Sequence, residues 1–146
     1  MTQSDLPTDE PEQVRQARLL SLSGDYVAAI ERLEAWLHLF PNDIGALVLK
    51  GNVFELQAYS TSLDEGLSFL DSSELRIAKS CYEAALALES ENVDALTDLA
   101  NLLEQAKQYR GCVSLLNKAL LLLKAKGDDV GASEVLVKIE EISPKI

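Results

Sequence analysis

Proton transfer at neutral pH falls most often to histidine, and nucleophilic catalysis needs an activating base beside the nucleophile. The chain offers one histidine, His38, held between Leu37 and Leu39 in an apolar stretch where a structural role is expected. Cys81 and Cys112 show neither CxxC spacing nor clustered histidines, so the sequence predicts no zinc site and no other metal. No GxxxxGK[ST] loop or GxGxxG turn is present to cradle phosphates. Carboxylates are plentiful, but acids on solvated helical faces are commonplace. The expectation is a protein without catalytic residues and without cofactors, not an enzyme.

The elements that carry these residues belong to one domain. The chain has 146 residues, 47% of them hydrophobic and 25% charged, and a net charge of -11. A chain of this size buries about 70% of the surface that its unfolded form exposes, enough for a core without metal or disulfide support. The negative charge opposes phosphate attraction, so nucleic acid and anionic membranes are not expected partners. No run approaches the 18 or so apolar residues that a membrane span needs, and the first nine residues carry neither a basic end nor an apolar run. A cytoplasmic protein with free thiols is the expectation.

Self-comparison reveals a repeat. Ala78, Tyr82 and Leu88 recur as Cys112, Leu116 and Leu122, each 34 residues later (112 − 78), and Gly51 stands 34 after Ala17. Elsewhere the offset is 49: Gly51 with Ala100, Asn52 with Asn101, Ala29 with Ala78, Leu33 with Tyr82, Leu39 with Leu88. Three units of 34 with 15 residues inserted in the second account for both offsets. Each unit reads as two amphipathic helices, as in Val14-Ala17-Leu20, a break at Gly24-Asp25-Tyr26, then Ala29-Ile30-Leu33-Trp36-Leu37, closed by Pro41-Asn42-Asp43. Ala17, Gly51 and Ala100 mark one close-packing position, and Ala29, Ala78 and Cys112 another.

On these residues, and on Leu47, Phe54 and Ala119-Leu120, the chain resembles the tetratricopeptide repeat family over about residues 10–122. Trp36 departs from the pattern by standing where Ala85 and Ala119 predict a small residue, and Ser90 replaces proline. The resemblance implies an all-α right-handed superhelix of three antiparallel helix pairs, with a concave face that holds peptides or helices. The expected organisation is a mobile segment over 1–9 and one domain over 10–146. Its repeats span 10–43, 44–92 with an insertion over 58–72, and 93–126. A C-terminal capping helix over 129–142 covers the apolar side of the last unit. Asp9-Glu10-Pro11-Glu12 reads as a helix start and Asp71-Ser72-Ser73-Glu74 as a capping box. The insertion carries Leu63, Leu67, Phe69 and Leu70, too apolar for an idle loop, and is expected to extend a helix or pack back on a neighbour.

In this family the groove is lined by the first helix of each pair. The carry-over names Val14, Arg18 and Ser21, then Val48, Asn52 and Glu55, then Asp94, Thr97, Asp98, Asn101 and Glu104. The basic clamp that captures chaperone C-termini is missing, because Val14, Leu49, Asp94 and Asp98 stand in its places. Residues 1–106 hold six basic and nineteen acidic residues, net -13, whereas 107–146 hold seven and five, net +2. The function read from this is a non-enzymatic interaction module, an adaptor or scaffold. Its groove takes a partner-protein segment with an apolar anchor and basic residues, and self-association is left open. The alternative is a chaperone or assembly factor for a secreted protein or a multi-subunit complex, since the layout is similar to the chaperones of type III secretion translocators.

Overall fold

The computed structural model describes residues 10–61 and 72–146. The segment 1–9, including Asp9 of the expected helix start, and the apolar part of the insertion lie outside the described residues. Within them are α1 (Glu12–Leu22), α2 (Tyr26–Leu39), α3 (Ile44–Thr61), α4 (Ser73–Leu88), α5 (Val93–Gln105), α6 (Tyr109–Lys126) and α7 (Asp129–Ile142), followed by a 3-10 turn at Ser143–Lys145. No strand occurs among the described residues. Each helix packs on its neighbour in sequence, so the array builds up in chain order. Residues 58–61 of the insertion continue α3.

Side chains at the breaks satisfy the orphan N–H groups that every helix start leaves open. Asp25, Asp43, Ser72, Asn92 and Asp128 each accept a backbone N–H three residues on, from Ala28, Ala46, Leu75, Ala95 and Gly131. The cap of α4 is therefore Ser72, one residue later than the box read from sequence. Glu74 instead accepts from the Ser72 and Ser73 hydroxyls. α1 starts after Pro11 without a side-chain cap, and Glu10 reaches along the helix to Arg18.

Trp36, out of place in the repeat pattern, is accommodated at the edge of the core. Its indole N–H donates to Asp43 Oδ2 at 2.8 Å, and its ring lies 4.3 Å from that of Phe40. In the two described turns between paired helices one residue takes the left-handed region. Gly24 takes it in the first pair at φ 87°, whereas the third pair puts Lys107 there at φ 61°. A side chain in that conformation costs about 1–2 kcal/mol that glycine avoids. Lys107→Gly is therefore expected to raise stability by about 1 kcal/mol, seen as a higher urea midpoint at unchanged slope.

The small positions read from the repeat are core. Ala17, Ala29, Ala78, Ala100 and Cys112 are all fully buried, and Gly51 lies against the ring of Tyr82. Burial pushes the Cys112 thiol up to about 11, and both cysteines are free. The outer helix α7 closes the array with Ala132, Val135 and Ile142 in the core, and Lys138 bonds Glu104 of α5 at 2.7 Å.

Candidate functional site

α1 touches α3, and α3 touches α5. The first helices of the pairs thus form a continuous layer, and two adjoining clefts open on it. One, of about 290 Å³, is lined by Arg18, Gly45, Val48, Leu49, Asn52, Asn92, Asp94 and Asp98. The other, of about 300 Å³, is lined by Asn52, Glu55, Leu56, Tyr59, Asp98, Asn101 and Gln105. They meet at Asn52 and Asp98, whose side chains are hydrogen-bonded across α3 and α5 at 3.1 Å.

A polar network braces the floor. Asn52 Nδ2 also donates to the Tyr82 hydroxyl at 2.8 Å, and that hydroxyl donates to Glu55. The Tyr59 hydroxyl lies 3.2 Å from Glu55 and 2.9 Å from Gln105 Oε1, joining α3 to α5 a second time. Burial raises the pKa of the Glu55 carboxyl; the tyrosine hydroxyls oppose the shift, and the charge of Asp98 adds to it. Asp98 is raised as well, first by burial, against its bond from Asn52 and with the charge of Asp94. No ion pair among the described residues involves Glu55, Asp94 or Asp98. The one cation lining the clefts, Arg18, is bonded to Glu10.

These shifts fix a pH dependence. A carboxyl whose folded pKa is raised binds protons more readily in the folded than in the unfolded chain, so its contribution to stability falls as pH rises. For Glu55 and Asp98 the penalty is fully present above their folded pKa values and fades as pH falls toward the ordinary 4.5 and 3.8. The expected result is that Glu55→Gln stabilises the protein more at pH 7 than at mildly acidic pH, as read from urea midpoints at both.

The structure gathers Arg18, Val48, Asn52, Glu55, Asp94, Asp98 and Asn101 around the clefts. It does not bring in the other four residues that the family pattern named. Val14 and Ser21 are buried, because they stand about 40° and 60° to one side of Arg18 around α1 and turn into the core. The Thr97 hydroxyl bonds back to the carbonyls of Val93 and Asp94. Glu104 is engaged with Lys138 of the cap. Sequence reasoning missed Gly45, Leu49, Leu56, Tyr59, Asn92 and Gln105. Leu56 and Tyr59 continue the i, i+3, i+4 face that begins at Asn52, a signal obscured by the insertion boundary set at residue 58.

The helical array superposes on solved structures. The type III secretion translocator chaperone SycD of Yersinia enterocolitica superposes with a TM-score of 0.74 at 17% identity, over 92% of this chain and 83% of that one. The chain has a TPR-like helical-repeat fold. The MamA RS-1 ArsTM double mutant gives a TM-score of 0.57 at 19% identity, over 97% of this chain and 79% of that one. No protein-family model matches the sequence, and comparison with curated proteins yields no match. No described helix is long and apolar enough to cross a membrane.

Proposed function

We propose that the chain is a three-repeat member of the tetratricopeptide repeat family and a non-enzymatic module that holds a segment of a partner protein in the paired clefts. The observation that carries this reading is the meeting of Glu55, Asp94 and Asp98, none with a cationic partner among the described residues, with the exposed Leu56 across the two adjoining clefts. An apolar anchor on the segment fits the cleft at Leu56, while its lysines or arginines meet the three carboxylates. Asn101 offers hydrogen bonds to an extended backbone. The second reading, a chaperone for a secreted protein, is supported by the likeness to SycD across most of both chains.

Isolation of the tagged chain from its native cells, with mass spectrometry of what it retains, tests both. The exposed pair Asp94→Lys/Asn101→Lys serves as the groove-blocked control. The expected result is a partner held by the wild type and lost from the control. A secreted substrate selects the chaperone reading, and a complex subunit selects an assembly factor. Equal recovery by both proteins overturns the assignment of the groove.

A further inference from the structure

Among the described helices, α6 has the charge that most strongly opposes the rest of the molecule. It carries Arg110, Lys118, Lys124 and Lys126 and no acid, in a chain of net charge -11. None of the four cations takes part in a hydrogen bond or ion pair among the described residues. Arg110, Asn117, Lys118, Leu121 and Lys124 are exposed and fall on one face, a ridge about 21 Å long. Leu121 sits three residues from each of two lysines and is 69% exposed, a large apolar side chain in water at the centre of a basic stripe. α6 packs against α5 and α7 and forms no part of either cleft, so the ridge lies outside the groove.

We propose that the concave groove of one copy takes the α6 ridge of another. The inference rests on the groove reading above and names its partner as a second copy of this chain. An apolar anchor flanked by lysines is what the groove chemistry selects, and α6 presents it already folded, so little ordering entropy opposes docking. The charges are complementary at the contact: on one side acids outnumber the single Arg18, itself paired with Glu10, and on the other cations stand without acids. At physiological salt the Debye length is about 8 Å, so this local match outweighs repulsion between the distant parts of two acidic molecules. A flat anionic membrane fits less well, because Asp128, Asp129 and Glu134 on the adjoining turn and helix are exposed and would face it too. Groove and ridge are different surfaces, so the contact is head-to-tail and can extend beyond two copies.

Sedimentation velocity of the whole chain over a range of concentrations, at physiological and at high salt, tests the inference. Wild type is expected to associate at physiological salt, where the distant charges are screened, and to weaken at least tenfold at about 1 M salt, where the contact itself is screened. The ridge variant Lys118→Glu/Lys124→Glu and the groove variant Asp94→Lys/Asn101→Lys alter only exposed residues, and circular dichroism checks that each is folded. Each alone is expected to lose association, and mixing the two to restore it. A contact of ridge on ridge is instead lost from the ridge variant alone, and one of groove on groove from the groove variant alone, and either result overturns the inference. A wild-type chain that stays monomeric, whether or not its ridge binds phosphatidylserine vesicles, overturns the inference. Groove-dependent binding of a labelled amphipathic leucine-lysine peptide then leaves the groove reading standing, and peptide binding that the groove variant does not reduce overturns that reading as well.

Discussion

Gly51→Leu is expected to cost at least the about 1–3 kcal/mol typical of an overpacked core, read as a lower urea midpoint. Even a methyl at Gly51 meets Tyr82 Cε1 at 2.5 Å and Cζ at 2.9 Å. The ring cannot give way cheaply. It is fully buried, and its hydroxyl is tied to Asn52 and Glu55, so moving it breaks the floor of the groove as well as the core. The repeat explains the arrangement. Units one and three hold alanine and leucine at the two positions, as Ala17 with Leu33 and Ala100 with Leu116, whereas unit two holds glycine and tyrosine. The larger ring takes the volume that the missing Cβ leaves. The pair should therefore be coupled: Gly51→Ala is expected to be less harmful in a Tyr82→Leu background than in wild type, by about 0.5–3 kcal/mol. Simple additivity of the two changes would contradict this packing account.

The second large effect concerns binding. Leu56 supplies the exposed apolar surface of the second cleft, and Asp94 with Asp98 the charge of the first. Exposed ion pairs are worth only about 0–1 kcal/mol, so the acids should govern association rate and salt dependence, and the apolar anchor most of the affinity. Asp94→Lys is expected to slow association strongly at low salt and little at high salt. Leu56→Asp should weaken binding tenfold or more at both. Association and dissociation rates at two ionic strengths, measured on the isolated partner, decide the matter. Glu104→Lys is the instructive contrast: its carboxylate holds Lys138, so the change should loosen α7 and lower stability without the same kinetic signature.

That contrast also marks how far the sequence could be read. Positions fixed by local periodicity were legible: the small residues at 17, 51 and 100, the alanine-like place of Cys112, and the helix breaks at 24–26 and 41–43. Contacts made by elements distant in sequence were not. Glu104 and Asn101 stand one turn apart on α5, yet one meets the cap and the other lines the cleft, and only the docking of α7 separates them. Val14 and Arg18 differ by one turn, and the packing of α2 and α3 on α1 decides which is buried. The Tyr59 to Gln105 link joins a residue of the insertion to α5 and follows no repeat offset. Lys107 occupies a turn conformation that only the equivalent Gly24 hinted at.

The position of the sole tryptophan has a practical consequence. Trp36 lies in the first helix pair, its indole fixed to Asp43 and stacked near Phe40. Arrays of this kind hold together chiefly through nearest-neighbour interfaces, so their two ends can melt separately. Intrinsic fluorescence therefore reports the melting of the N-terminal end, whereas far-ultraviolet ellipticity averages over all the helices. Wherever α7 and α6 release first, ellipticity will fall while emission stays native, and the gap between the two curves measures the cooperativity that links one end of the array to the other.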